Sequence, residues 1–89
     1  MELKTYIVDG QRMTSREQAH AYLQEVLALP AWYGKNLDAL YDCLTEMGPE
    51  VFFFENAGEG SDYFRKVLRV FKDAVRENPA ISIAEKIDE

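Results

Sequence analysis

The pattern of apolar and polar positions divides the chain into short elements of two kinds. Residues 6–8, 51–54 and 80–84 form apolar or alternating runs that are bounded by turn signals and predict strands. The segments between them carry apolar residues three and four apart, which is typical of amphipathic helices. The order strand, helices, strand, helix, strand predicts an α/β domain with a small parallel sheet, since connections that contain helices are crossovers.

Capping residues and helix breakers bound three predicted helices. The first ends before Pro30, the second at Gly48-Pro49 and the third at Asn78-Pro79. The continuous apolar run at 51–54 favours a central strand that is covered on both faces, and a buried helical segment is the alternative that periodicity leaves open. The capping candidates are Thr14 or Ser15 for the first helix, Asn36 for the second, and Ser61 or Asp62 for the third.

The segment 29–46 joins an aromatic loop to the second helix and is the most informative part of the chain. Pro30 restricts the backbone before the loop, and Gly34 permits a turn that other residues resist. Leu37, Leu40 and Leu44 recur at helical spacing and predict the buried face. The opposite face is then polar and acidic, and it consists of Asp38, Asp42, Thr45 and Glu46.

This segment resembles the barstar family, the intracellular protein inhibitors of barnase-type ribonucleases. The resemblance implies a barstar-like domain over 1–89, with a three-stranded parallel sheet packed with about three helices and a frayed tail at 85–89. It also implies a stoichiometric inhibitor that occludes the active site of a barnase-like ribonuclease. The residues that carry the resemblance are Leu29-Pro30, Tyr33-Gly34, Asn36 to Leu40 and Asp42 to Thr45, with a weaker match at Val67 to Phe71.

The family also implies which residues contact the ribonuclease. The aspartate that matches Asp42 enters the ribonuclease active site in the place of a substrate phosphate, and acids that match Asp73 and Glu77 face a basic rim. Trp32 stands where the family has a tyrosine, whereas Tyr33 suits either a contact or a core position. The predicted partner-binding residues are Trp32, Tyr33, Gly34, Asn36, Asp38, Tyr41, Asp42, Thr45, Glu46, Met47, Asp73 and Glu77.

The chain departs from the family pattern at several places. Asp73 is shorter than the usual glutamate, Met47 replaces a tryptophan and Lys35 replaces an acid. These changes indicate a partner that is related to the best-known target without being identical to it. The segment 55–64 is also too short for the additional helix of the familiar inhibitors, which predicts a less covered face of the sheet.

The charge distribution favours a basic protein as the partner. The formal net charge is −6, and the window 36–64 contains no Lys or Arg. Such a surface disfavours nucleic acid, whose binding needs cations, and attracts a basic protein. The simpler interpretation of each acid is a solvated surface residue, and for Asp73 and Glu77 it is ordinary ion pairing with neighbouring cations.

The size of the chain and its single cysteine limit the classes of protein to which it can belong. Eighty-nine residues predict one domain with a modest core, and no apolar run approaches the roughly 20 residues of a membrane helix. A single cysteine and the lack of a signal-like start favour a cytoplasmic protein. We expect a monomer when free, with an obligate dimer through the less covered sheet face as the alternative. No catalytic motif, metal-ligand set or cofactor fingerprint is evident.

Two alternatives to a ribonuclease inhibitor remain open at this point. One is an interaction or immunity module of the same fold that binds a different basic protein or toxin. The other is a small enzyme that uses Cys43 and His20, for which the spacing offers no support; Cys43 is better explained as a small buried hydrophobe.

Overall fold

The computed structural model describes residues 4–56 and 61–85, and these form a three-stranded sheet with three helices. The predicted α/β fold is confirmed. A short 3₁₀ turn at Gly10–Arg12, which the apolar pattern did not reveal, follows the first strand. The elements in chain order are β1 (Lys4–Asp9), α1 (Arg16–Val26), α2 (Leu37–Thr45), β2 (Glu50–Glu55), α3 (Asp62–Glu77) and β3 (Ile81–Glu85).

The sheet is parallel throughout, with β2 in the centre. Its order is β1-β2-β3, so each connection is a crossover through one or two helices. Phe52 pairs with Tyr6 of β1 and with Ile83 of β3. This register aligns the helix-facing residues of all three strands, because side chains alternate between the two faces along each strand.

The core lies between this face of the sheet and α3. Phe52 and Phe54 of β2 are fully buried, and so are Phe64 and Phe71 of α3. The ring of Phe71 meets those of Phe52 and Phe54 edge-on, with centroids 5.1 and 5.0 Å apart. Edge-to-face contacts of this kind add about 0.5–1.5 kcal/mol to the burial of the rings. The aromatic contacts therefore determine where α3 lies on the sheet.

The opposite face of the sheet is much less covered, so the prediction of a central strand buried on both faces is wrong for the described residues. Ile7 is 56% exposed, and Val51 and Phe53 are only half-buried. The reason is that the described helices pack on the Phe52 face. A less covered face is what the short segment 55–64 predicted; residues 57–60 of that segment lie outside the described part of the chain.

For α1 and α3, the structure selects one of the two predicted capping residues. Ser15 caps α1 by accepting a hydrogen bond from the Gln18 backbone N–H, at 3.2 Å. Ser61 caps α3 in the same way, with the N–H of Phe64 as the donor at 3.2 Å. The frayed tail was predicted to begin at residue 85, but Glu85 is the last residue of β3 and pairs with β2. Residues 86–89 lie outside the described ranges.

No helix in residues 4–56 or 61–85 is long and apolar enough to cross a membrane.

Asn78, just after α3, ties that helix to the end of α2. Its side-chain amide donates hydrogen bonds to the carbonyl oxygens of Leu44 and Met47, at 3.0 and 2.7 Å. Its amide oxygen accepts from the N–H of Ala80 at 3.0 Å. The Leu44 carbonyl also accepts the Met47 backbone N–H at 3.3 Å, so Asn78 gives it a second donor and supplies a donor to the Met47 carbonyl just beyond α2.

We expect Asn78→Ala to destabilise the protein by about 1–3 kcal/mol, since the carbonyls of Leu44 and Met47 each lose the hydrogen bond from Asn78. In a domain of this size that loss lowers the melting temperature by roughly 5–20 °C, which circular dichroism measures. The neighbouring substitution Glu77→Ala removes an exposed side chain and should change the melting temperature little. Equal melting temperatures for the two variants would contradict a structural role for Asn78.

Candidate partner-binding site

Helix α2 is held rigidly by its apolar face. Leu40 and Leu44 are fully buried and Cys43 is 7% exposed, as the periodicity predicted. Asn36 caps the helix, with its Oδ1 accepting a hydrogen bond from the Ala39 N–H at 2.7 Å. Such a cap contributes about 1 kcal/mol. The helix is therefore a fixed platform for the side chains on its other face.

The other face of α2 carries exposed carboxylates. Asp38, Asp42 and Glu46 are all exposed along one side of the helix. Thr45, on the same side, is half-buried and donates its hydroxyl to the Asp42 carbonyl at 2.9 Å. Asp38 lies in the first turn, where the positive end of the helix dipole stabilises a carboxylate by about 0.3–1 kcal/mol. The predicted polar face thus exists as a continuous surface.

Two further acids from α3 join this surface. Asp73 and Glu77 are exposed and line a cleft of about 380 Å³ together with Tyr41 of α2 and Arg76 of α3. The packing of α2 against α3 thus brings together predicted site residues that are more than thirty positions apart in sequence. We call the surface formed by Asp38, Asp42, Glu46, Asp73 and Glu77 the acidic face.

The loop before α2 has left-handed backbone at both ends. Ala28 has a φ of 52° and Lys35 a φ of 54°, conformations that L-residues adopt at some cost. We expected the turn at Gly34, but the positive φ falls on Lys35. Gly34 is exposed, and its carbonyl accepts a hydrogen bond from the Asn36 side-chain amide at 3.3 Å.

Trp32 is the most exposed large apolar side chain of the described residues, at 75%. It borders a shallow groove of about 210 Å³ whose apolar walls include Leu29, Pro30 and Met47. An exposed indole beside an apolar groove is a common anchor in protein–protein interfaces. The placement suits the predicted contact role of Trp32 and places Met47 beside it.

Tyr33 points the other way and belongs to the core. It is 4% exposed, which corresponds to the second of the two positions considered for it. Its backbone N–H donates to the Pro30 carbonyl at 2.9 Å, and its hydroxyl lies 2.5 Å from Nδ1 of His20. Tyr33 therefore anchors the loop from beneath, while Trp32 stands above it.

His20 is the residue of the site that the sequence pattern did not identify. It is 1% exposed, and its two ring nitrogens lie 2.5 Å from the hydroxyls of Tyr33 and Tyr63. In a neutral imidazole one nitrogen donates and the other accepts, so one tyrosine hydroxyl accepts a hydrogen bond from His20 and the other donates one to it. Through His20, α1 connects the loop to the start of α3. In the sequence, the position of His20 one turn before Leu23 on the apolar stripe of α1 was the feature that indicated its burial.

Burial determines the protonation of this cluster. Desolvation lowers the pKa of His20, and the positive charge of Arg16 lowers it further. Desolvation also raises the pKa values of Tyr33 and Tyr63, so both hydroxyls stay protonated. Near neutral pH the cluster is uncharged and its hydrogen bonds are intact.

The Cys43 thiol is in an unfavourable environment for a nucleophile. Burial raises its pKa, and the charges of Glu46 and Asp42 raise it further. Both ring nitrogens of His20 are engaged with tyrosine hydroxyls rather than with this thiol. In residues 4–56 and 61–85, no group of three or more His, Cys, Asp or Glu side chains is placed to hold a metal ion.

Comparison with known proteins agrees with this geometry. The family model described as "Barstar (barnase inhibitor)" matches residues 3–86, which is nearly the whole chain. The chain belongs to the barstar family. A relative from Bacillus subtilis (strain 168), named "Putative ribonuclease inhibitor YrdF", is 37% identical over 82 residues, covering 84% of this chain and 89% of the relative.

Membership of the barstar family confirms the predicted family and the three-stranded α/β fold. The family is named for an inhibitor of a ribonuclease, and the Bacillus relative carries an inhibitor's name. A role of the barnase-inhibitor kind is therefore supported. The contact residues on α2 and α3 remain predictions whose side chains now have known positions.

The lowered pKa of His20 predicts how stability depends on pH. The unfolded chain has a histidine pKa near 6.5 and binds the proton more readily than the folded protein does. The His20 contribution is therefore complete above about pH 6.5 and declines as the pH falls below it. Urea denaturation between pH 7.5 and 5.5 should show a free energy of unfolding that decreases toward acid.

His20 is the sole histidine, so its contribution can be isolated. His20→Gln should flatten this part of the pH profile, since glutamine does not titrate. Proton NMR of the imidazole should give a folded-state pKa below 6.5. A parallel pH profile in wild type and His20→Gln, or a His20 pKa above 6.5, would contradict a buried neutral imidazole.

Proposed function

We propose that this protein is a stoichiometric inhibitor of a basic, barnase-like ribonuclease in the cytoplasm of the cell that produces the enzyme. The inhibitor acts as a monomer and covers the ribonuclease active site with α2 and the preceding loop. Asp42, on the exposed side of α2, is the central contact. Family membership and the name of the Bacillus relative support the class of partner.

The observation that carries this proposal is the presentation of Asp42 on a rigid helix. Its carboxylate is exposed, while the same helix is capped by Asn36 and anchored by the buried Leu40 and Leu44. A ribonuclease binds substrate phosphate with Arg, Lys and His, and a carboxylate held in place of the phosphate satisfies the same donors. Since the helix is already ordered, little conformational entropy of this segment is lost on binding.

The rest of the acidic face supports fast association. Asp73 and Glu77 extend the negative surface from α2 onto α3, opposite the basic rim expected of such an enzyme. Clustered charge of one sign attracts a partner of opposite sign over several ångströms and raises the association rate at low salt. Barnase with barstar is the well-known example of such steering.

The aromatic loop contributes shape as well as charge. Trp32 and the apolar groove beside it offer a surface for an apolar or aromatic side chain of the ribonuclease. Gly34 is exposed and has no Cβ, which permits close approach of a partner backbone. Asn36 contributes through its cap and is half-buried at the edge of this surface.

We expect the wild-type protein to abolish RNA cleavage by at least one basic guanyl-specific ribonuclease at a 1:1 ratio. The panel includes barnase and is assayed with a fluorogenic RNA substrate. Asp42→Ala should weaken inhibition at least about 30-fold, equivalent to about 2 kcal/mol, because a central contact with a basic pocket is lost.

Glu25→Ala is the matched control for Asp42→Ala. It removes the same charge from an exposed position on the outer face of α1, away from the acidic face, and should leave the inhibition constant nearly unchanged. If no ribonuclease of the panel is inhibited, this function is excluded. Binding of another basic toxin without any effect on RNA cleavage would favour the interaction-module alternative.

Salt should weaken the complex mainly through slower association. Raising the NaCl concentration from about 50 to 500 mM screens the acidic face, because the Debye length falls below 10 Å. Surface plasmon resonance should show a large decrease in the association rate and a smaller change in the dissociation rate. An association rate that is independent of salt would contradict electrostatic steering by the acidic face.

A further inference from the structure

A second cleft lies beside the acidic face, where the N-terminal ends of α2 and α3 meet α1. Its volume is about 540 Å³, larger than that of either cleft described above. It opens next to Asp38 and is therefore continuous with the predicted interface. We call it the basic cleft, and its lining residues are Arg16, Asn36, Leu37, Asp38, Tyr63 and Lys66.

The charge of this cleft is opposite to that of its surroundings. Arg16 and Lys66 are exposed cations that reach it from α1 and α3, whereas Asp38 is the one acid among the described residues that line it. Within residues 4–56 and 61–85 the ion pair within 4.0 Å is Lys72 with Glu85, so no described acid lies within ion-pair distance of Arg16 or Lys66. The cleft thus carries two free positive charges in a protein whose net charge is −6.

The placement of Lys66 on α3 makes this arrangement directional. Lys66, Asp73 and Glu77 fall within about 40° of one another around the helix, at about 100° per residue. Lys66 lies near the start of α3 and Glu77 at its end, about 16 Å further along the axis at 1.5 Å per residue. This side of α3 therefore carries Lys66 near its start, one turn after the exposed Asp62, and Asp73 and Glu77 near its end.

The predicted interface must extend beyond α2. A helix of nine residues is about 13 Å long, and it offers much less area than the roughly 800 Å² per partner of a typical stable interface. An enzyme centred on Asp42 therefore covers the neighbouring surfaces on both sides. One side is the cleft with Asp73 and Glu77, and the other is the basic cleft.

We propose that the basic cleft is a second subsite of the interface, in which Arg16 and Lys66 bind a carboxylate side chain on the rim of the ribonuclease. The subsite rests on the function proposed above. It adds that the cognate enzyme carries an acidic residue beside its basic active site. Enzymes with a neutral or basic residue there are disfavoured, because the two cations then remain unpaired or are repelled.

The chemistry of the cleft suits a carboxylate. The guanidinium of Arg16 can bind both oxygens of a carboxylate, and Lys66 supplies a second positive charge to the same cleft. The hydroxyl of Tyr63 is bonded to His20, which holds the floor of the cleft in place. An RNA phosphate would suit the same cations, but the adjoining acidic face repels a polyanion.

The test asks whether reversing the charge of Arg16 or Lys66 weakens or tightens binding to the ribonuclease. The probe is the ribonuclease of the panel that the wild-type protein inhibits most tightly. Arg16→Glu and Lys66→Glu should each raise the dissociation constant of the complex about tenfold, because an ion pair is lost and the partner's carboxylate is repelled. Both substitutions place an acid in the first two turns of a helix, which the helix dipole favours, so the variants should fold.

Arg65→Glu is the matched control for Lys66→Glu. Arg65 precedes Lys66 in α3, is exposed and lines none of the clefts described here. It undergoes the same change of charge, so overall electrostatics alone would tighten binding to a basic enzyme equally in all three variants. Only a carboxylate subsite predicts weaker binding for Arg16→Glu and Lys66→Glu together with unchanged or tighter binding for Arg65→Glu.

A charge exchange identifies the partner's residue. Each surface Asp or Glu of the ribonuclease outside its catalytic centre is changed to Lys, and one such variant should regain affinity for Arg16→Glu in a double-mutant cycle. Tighter binding by Arg16→Glu and Lys66→Glu, or the lack of any coupled acid, overturns the subsite. The function itself is judged separately by the loss of inhibition in Asp42→Ala.

A direct measurement decides between carboxylate and phosphate. Fluorescence anisotropy with a labelled RNA oligonucleotide should show no binding to the free wild-type protein. RNA binding that disappears in Arg16→Glu would assign the basic cleft to phosphate and overturn the proposal.

Discussion

The position of α3 on the sheet is the constraint on which the rest of this structure depends. Phe64 and Phe71 of α3 pack against Phe52 and Phe54 of the central strand, and all four rings are fully buried. Removing such large side chains from water supplies much of the stability of a small domain. Once α3 is placed, its partner α2 is placed too, since Asn78 joins the ends of the two helices. The acidic face is a consequence of this packing.

The buried His20 completes the arrangement from the other side of the site. Its two hydrogen bonds join Tyr33 of the loop to Tyr63 of α3, at the opposite end from Asn78. The loop and α2 are thus held at both ends by polar contacts and along their length by leucines. Buried polar groups of this kind are costly when unpaired, so the bonded arrangement is strongly preferred over its alternatives. A partner therefore meets a surface that is already formed.

The surface itself combines attraction with selectivity. Carboxylates along α2 and at the end of α3 create a negative field, while Arg16 and Lys66 interrupt it at one end. A uniformly acidic surface would attract many basic proteins without distinction. In the proposed complex, the two cations beside Asp38 orient the partner and disfavour enzymes that lack a matching acid.

Local sequence determined much of this protein. The periodicity of Leu37, Leu40 and Leu44 predicted which side of α2 is buried, and the cap at Asn36 predicted where it begins. The barstar resemblance followed from the same uninterrupted segment. Each of these features depends on neighbours within a few positions, and local backbone geometry reports them directly.

The features that depend on residues far apart in the chain could not be predicted from local sequence. Tyr33 and Trp32 are adjacent aromatic residues, yet one is buried against His20 and the other is three-quarters exposed. The positive φ fell on Lys35 instead of Gly34. The open face of the sheet was concealed by the apolar run of β2, whose alternate side chains meet a helix layer on one side only.

The sequence by itself therefore determined the elements, the family and the acidity of α2, because periodicity, caps and charge are local properties. Only the tertiary structure decided that His20 links the loop to α3, and that Arg16 and Lys66 converge beside Asp38. Arg16 and Lys66 are fifty positions apart in the chain, and nothing in their neighbours indicates that they meet. The packing of α1 and α3 on the sheet and of α2 on α3 brings them together, because side chains far apart in sequence become neighbours only when their helices share a core.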